Sequence, residues 1–221
     1  MKVKALIAVR SGSVRVDSKN IRPFAGSTIV ECKIAQLLRV KNLDGIVVNS
    51  NDDSILELCS KYDVELVKRD QHFASNEITM SEVYQNMAEN FSGDVVVYAN
   101  ATSPLIEIST IETMIEEYNT VVKGGYDSLN SVQAVRKFLF KDGKPLNYSL
   151  QNQPRSQDLP DIYSINFAIS ILSTEKMKEY RNVVGRNPCL YEITEQEGVD
   201  IDTMFDFKIA EFLYKEIHGI I

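Results

Sequence analysis

Three stretches of this 221-residue chain carry side chains whose types and spacing suit chemistry on a charged substrate. The first reads Ala8-Val9-Arg10-Ser11-Gly12-Ser13-Val14-Arg15-Val16-Asp17-Ser18-Lys19-Asn20 and closes an apolar run. Small residues in a turn let backbone N–H groups point at an anion, and Arg10, Arg15 and Lys19 add neutralising charge, so the stretch has the outline of a polyphosphate cradle. It has one glycine and no Gly-Lys-Ser/Thr ending, so it is neither GxGxxG nor Walker A. A solvated basic loop has the same composition. The second stretch is Val199-Asp200-Ile201-Asp202-Thr203. Carboxylates at i and i+2 share one side of an extended segment and can both reach one hard cation such as Mg²⁺. The competing reading has Asp202 or Thr203 capping the helix that follows, with Asp200 in solvent. The third is Asn100-Ala101-Thr102-Ser103-Pro104-Leu105 after the apolar residues 95–98. Polar groups at the C-terminal end of a strand are where open α/β sheets hold ligands, although a plain turn also uses Ser and Pro.

The elements that must position these stretches follow from hydrophobic periodicity. Apolar runs at 5–9, 45–48, 64–67, 94–98, 128–135 and 166–172 alternate with helical spacing at 27–38, 53–62, 79–90, 109–121, 174–180 and 204–218, which predicts an α/β chain with a mainly parallel sheet. Asp52 stands where a helix cap belongs, and Asp142-Gly143-Lys144-Pro145 is a turn signal. Residues 147–162 are polar, rich in Asn and Gln and broken by Pro154 and Pro160, and read as an extended arm or lid. With no repeat and no linker, the expectation is one domain over 1–221, a Rossmann-like three-layer α/β/α fold with an insertion at about 146–165.

Composition narrows the function. Lys and Arg total 24 against 31 Asp and Glu, a net charge of −7, so no chain-wide basic field attracts nucleic acid. Three cysteines, an odd number without a CxxC pair, argue against a disulfide framework or structural zinc and fit a reducing cytoplasm. The apolar run at 5–9 is too short for a secretory core or a membrane span. The aromatic residues Tyr84, Tyr98, Phe138, Phe140 and Phe167 read as packing rather than base-stacking platforms, His72 as a surface loop residue, Cys32 and Cys59 as small buried groups, and Glu112, Glu116 and Glu117 as a solvated helix face.

Taken in chain order, the motifs resemble the acylneuraminate cytidylyltransferase family, which makes CMP-sialic acid and related CMP-nonulosonic acids. The family's opening motif, approximately Ala-Arg-x-Gly-Ser-Lys-x-x-x-x-Lys-Asn, is matched by Val9-Arg10-Ser11-Gly12-Ser13-Val14 and Lys19-Asn20. Its later motifs are matched by residues 46–53, Lys68-Arg69-Asp70, Ala101-Thr102-Ser103-Pro104-Leu105, residues 155–160, Asn166 with Ala168-Ile169, and Asp200-Ile201-Asp202-Thr203, so the resemblance covers nearly the whole chain. It implies that Arg10 and Lys19 contact the phosphates of CTP, helped by Ser11, Gly12 and Ser13. Asn20, Ser50, Asp52 and Arg69 would surround the cytidine, and Asp200 and Asp202 would hold Mg²⁺. Ser81, Asn100, Ser103, Arg155, Asn166 and Phe167 would lie near the sugar acid, and the arm would help to form a homodimer. The implied reaction is transfer of CMP from CTP to a nonulosonic acid with release of pyrophosphate, with Arg10, Lys19 and Asp202 as the catalytic set.

Departures from the family pattern cluster on the sugar side. Asn100-Ala101 stands for Gln-Pro, Ile106 for an arginine, and Ser164-Ile165-Asn166-Phe167-Ala168 for Arg-x-Asn-Gly-Ala. If Ile106, Ser164 and Phe167 line the acceptor pocket, they favour a deoxygenated or N-acylated nonulosonic acid over N-acetylneuraminate. Two rival readings are a non-catalytic nucleotide- or sugar-binding paralogue and a nucleotidyltransferase for another sugar.

Overall fold

The computed structural model describes residues 1–12, 15–75 and 77–220. Its chain runs β1 (Val3–Val9), a small hairpin of β2 (Pro23–Phe24) and β3 (Ser27–Thr28), α1 (Ile29–Leu37), β4 (Ile46–Ser50), α2 (Asp53–Cys59) and β5 (Glu65–Lys68). A 3₁₀ turn at Gln71–Ala74 leads to α3 (Met80–Glu89), β6 (Val95–Ala99), α4 (Ile108–Lys123) and β7 (Ser128–Ala134). A second hairpin, β8 (Phe140–Lys141) and β9 (Lys144–Pro145), precedes β10 (Tyr163–Ser173), α5 (Thr174–Tyr180), β11 (Pro188–Glu192) and α6 (Met204–His218).

Seven strands form one sheet in the order β11-β7-β10-β6-β1-β4-β5. Every pairing is parallel except those of β10, which runs antiparallel to both β6 and β7. Strand alternation builds the two cores. On β1 and β6, Ala5, Ile7, Val9, Val95, Val97 and Ala99 pack with α1, α2, α4 and α6, whereas Leu6, Val96 and Tyr98 pack with α3 and α5. Both faces are therefore covered, which is why β4 and β6 are buried along their full length instead of alternating with polar residues.

Local signals set the helix starts. Thr28 and Asp52 accept bonds from first-turn N–H groups of α1 and α2, and Thr79 with Glu82 forms a capping box on α3. Thr203 with Asp206 does the same on α6, so Thr203 is the cap and the Asp202 carboxylate is left for other work. Glu116 and Glu117 lie on an exposed face of α4, as expected, and Glu112 and Glu116 also accept from Lys41 N and Asn42 Nδ2 in the loop after α1.

The insertion also differs from its expected outline. It starts before residue 146, with the β8–β9 hairpin, and Phe138 and Phe140 lie 4.9 and 5.9 Å from the Tyr148 ring. Asn147 ties it together, accepting from Leu139 N and donating to Lys137 O, while the Arg136–Asp161 pair at 2.8 Å closes its base. Tyr163 already belongs to β10.

Candidate active site

A cleft of about 510 Å³ opens at the C-terminal ends of β1 and β6, on the α3 side of the sheet. β1 is flanked by β4 on one side and β6 on the other, so the chain winds outward in both directions from this point. That is where an open α/β sheet leaves a crevice. Of the residues singled out by sequence, Arg10, Lys19, Asn20, Asn100, Phe167, Asp200 and Asp202 line it. Arg10, Lys19 and Asn20 also border a recess of about 50 Å³ with Ser11, Gly12 and Asp52. Gly12 has φ +76°, a backbone conformation L side chains rarely adopt, so the loop turns there because the residue has no Cβ. Ser13 lies outside the described residues.

The polar end of the cleft is crowded with opposite charges. Lys19 Nζ donates to the Ile201 carbonyl at 2.6 Å, placing its ammonium between the two aspartates in sequence. Burial pulls the Lys19 pKa down, and attraction to Asp200 and Asp202 only partly offsets it. Burial likewise pushes the Asp200 carboxyl above its ordinary value, although Thr102 Oγ1 donates to its Oδ1 at 2.5 Å. Asp202, about half exposed, pairs with Arg15 at 2.7 Å. Asn20 Nδ2 donates to the Arg10 carbonyl at 3.0 Å, and Arg10 Nη1 donates to the Ala74 carbonyl at 2.8 Å, so the loop is tied both to itself and to the 3₁₀ turn.

The two carboxylates suit a hard cation. Both border the cleft, they come from i and i+2 of one extended segment, and burial leaves Asp200 with charge that its neighbours do not fully balance. Among the described residues no third carboxylate, histidine or cysteine joins them. Magnesium commonly takes one or two carboxylates and completes its shell with substrate phosphates and water, which this pair allows.

The rest of the cleft lining is apolar, and of its residues only Phe167 was expected there. Met80, Tyr84, Tyr98 and Phe167 line it, with Tyr84 and Tyr98 ring centroids 5.8 Å apart in an edge-on arrangement. Burial raises both tyrosine pKa values, so these rings stay neutral. The aromatic signal was present in the sequence, but only the alternation of β6 shows that Tyr98 both packs and faces the cleft. Phe167 sits in a break of register: Ile165 is opposite Val132 and Ser170 opposite Asn130. It adopts φ +55°, where glycine is the ordinary occupant.

The remaining candidates are placed elsewhere. Asn166 holds the bulge, its Oδ1 accepting from Ser131 Oγ and Ala168 N. Arg69 is buried, and its Nη2 donates to the Val9 and Asn49 carbonyls, tying together the ends of β1 and β4. Ser50 accepts from Asp52 N inside the turn before α2. Ser103 is buried, Ser81 is exposed on α3 beside Met80, and Arg155 pairs with Asp158 in the insertion. None of these six borders the cleft. Two of the three supposed pocket departures are corrected as well. Ile106 is buried in the core beneath α1 and α4, and Ser164 is exposed on β10 opposite Gln133, which leaves Phe167 alone in the cleft.

Sheet order and cleft define a nucleotidyltransferase of the Rossmann-like α/β type, and the chain belongs to the cytidylyltransferase family, whose model matches residues 4–195. It is 29% identical over 223 residues to post-translational flagellin modification protein B of Campylobacter coli, covering 95% of this chain and 94% of that one. It is 25% identical over 242 residues to pseudaminic acid cytidylyltransferase of Campylobacter jejuni, covering 99% and 98%. In fold it is similar to CMP:2-keto-3-deoxy-manno-octonic acid synthetase complexed with CTP, with a TM-score of 0.72 at 12% identity over 98% of this chain and 99% of that one.

Proposed function

We propose that this cytidylyltransferase transfers CMP from CTP to a nonulosonic, sialic acid-like sugar acid and releases pyrophosphate. The observation that carries the reading is the meeting of Arg10, Arg15 and Lys19 with Asp200 and Asp202 at one end of a cleft whose other end is apolar. The cations suit a triphosphate, and the apolar wall suits the ring and acyl substituents of a sugar acid. The named relative from Campylobacter jejuni supports the sugar class.

In this reading Lys19 and Arg10 bind and orient the phosphates so that the acceptor hydroxyl meets the α-phosphorus in line with the departing pyrophosphate. Their charge offsets what accumulates on the phosphate oxygens. Asp200 and Asp202 would hold Mg²⁺, which when bound would supply Lewis-acid stabilisation of phosphate charge. Arg15, which pairs with Asp202 at 2.7 Å, would be released to the phosphates if Asp202 held the cation instead. Asn100 lines the same cleft and offers the acceptor a hydrogen-bonding group. Phe167, Tyr84 and Met80 exclude water from the acceptor side and favour a deoxygenated or N-acylated sugar over N-acetylneuraminate.

Outside the cleft, the exposed Leu146 and Leu150 of the insertion support a homodimer formed through that arm. The nucleotide substrate and three free cysteines support a cytoplasmic setting; among the described residues no helix is long and apolar enough to cross a membrane. The deciding experiment is pyrophosphate release, measured with each nucleoside triphosphate against a panel of nonulosonic acids at several Mg²⁺ concentrations. Release that needs CTP, Mg²⁺ and a nonulosonic acid is the expected result. Release with another triphosphate and a sugar phosphate, or none with any pair, overturns the assignment.

A further inference from the structure

Lys33, on α1, is fully buried, and among the described residues no carboxylate pairs with it. A lysine is rarely buried without an acidic partner, because its ammonium gives up hydration that only strong acceptors replace. Its acceptors are the Ser103 carbonyl at 2.8 Å and Gln36 Oε1 at 2.6 Å. Gln36 Nε2 in turn donates to the Ile106 carbonyl at 2.5 Å and the Pro104 carbonyl at 3.4 Å. One turn of α1 thus grips three carbonyls of the loop that follows β6.

The opposite side of that loop builds the polar end of the cleft. Asn100 and Thr102 line it. The Thr102 carbonyl accepts from Ile201 N at 2.9 Å, and its hydroxyl donates to Asp200 Oδ1 at 2.5 Å. The Ile201 carbonyl is the acceptor of Lys19. Hydrogen bonds on either side of the 102–103 peptide link therefore connect Lys33 to Asp200 and Lys19.

We propose that Lys33 is a positioning residue: from behind the cleft it fixes the loop 100–106 and, through Thr102, the orientation in which Asp200 meets a divalent cation. This rests on the reading of Asp200 and Asp202 as the cation pair. Lys33 touches neither substrate nor cation. It acts as the outer partners of metal ligands do, where loss typically weakens affinity about 10–100-fold.

The test is Mn²⁺ binding by calorimetry and by the electron paramagnetic resonance of free Mn²⁺, with CTP present and no acceptor, on the parent, Lys33→Met, Gln36→Leu and Thr102→Val. Methionine fills a similar volume and removes a buried charge, so Lys33→Met is expected to fold. Gln36→Leu loosens the same loop while keeping the lysine. The expected result is a Mn²⁺ dissociation constant raised about tenfold in all three variants, with affinity for metal-free CTP within about twofold of the parent. In the turnover assay the same variants should need more Mg²⁺ for half-saturation while the KM for the acceptor holds. Parent binding of Mn²⁺ that is unchanged in Lys33→Met and Gln36→Leu overturns the positioning role and leaves the cation pair standing. If the parent binds no Mn²⁺, or Asp200→Asn binds it as the parent does, the cation pair fails and the proposal fails with it.

Discussion

Replacing Lys33 by methionine should change how stability depends on pH, and the structure fixes the sign. Burial lowers the Lys33 pKa from 10.5 to about 7. Between those values the unfolded chain holds a proton that the native state has shed, so unfolding takes up a proton and stability rises with pH. Below about pH 7 both states are charged and the native protein carries the whole cost of the buried ammonium. Above 10.5 both are neutral and the cost has gone. The slope across the window approaches about 1.4 kcal/mol per pH unit, and the full difference is about 5 kcal/mol. Lys33→Met has no such proton, so its stability should exceed the parent's most at pH 6.5–7, with the gap narrowing by about 2–3 kcal/mol on going to pH 9.5. Urea unfolding of both proteins, followed by circular dichroism at half-unit intervals from pH 6.5 to 9.5, measures the gap directly, because the other titrating groups are common to both. Parallel stability curves across that range would refute a neutralised buried lysine.

Three further outcomes are expected. CTP with Mg²⁺ should raise the melting temperature more than ATP, GTP or UTP does, since a ligand of the native state stabilises it by mass action; equal shifts for all four count against a cytidine site. Asp202→Asn should lose metal-dependent turnover without loss of fold. Asp200→Asn should lose it too while matching or exceeding the parent's stability at pH 7, because burial raises the Asp200 pKa and its ionisation, complete above that raised value, costs native stability; parent-like turnover of both at limiting Mg²⁺ defeats the cation reading. At position 167, where φ is +55°, glycine should be the better replacement for phenylalanine: Phe167→Gly should be about 1 kcal/mol more stable than Phe167→Ala in thermal unfolding, and the reverse order would deny the left-handed backbone. With the ring gone, Phe167→Gly should also narrow any preference for a deoxy sugar in kcat/KM.

Most of the scaffold was legible from local pattern, and the reason is physical. The helix pattern at 174–180 and 204–218 coincides with α5 and α6 because amphipathic spacing and a Ser or Thr cap act within a few residues of each other. β1, β4 and β6 were legible as short apolar runs because both their faces are covered. β11 was missed. It opens on Pro188, pairs on one side only with β7, and is partly exposed, so neither period nor composition marks it.

The site divides along the same line. Arg10, Lys19, Asp200 and Asp202 could be named from the sequence because their charges cluster in short loop segments, and their roles because those segments resemble the family's motifs. Which other polar groups face the cleft depended on contacts between segments far apart in the chain. Arg69 looks like a ligand group, yet the ends of β1 and β4 supply carbonyls that take its Nη2. Ile106 stands one turn of loop beyond Thr102, yet the loop carries it under α1 and into the core. Lys33 and Gln36 read as ordinary members of an amphipathic helix, and only the packing of that helix against the loop after β6 gives them carbonyls to hold. Sequence by itself determined the elements and the charges at their ends, since those are set by neighbours a few residues away. Tertiary structure alone decided which of those charges meet, because burial and hydrogen-bond partners are properties of the assembled sheet and its helices.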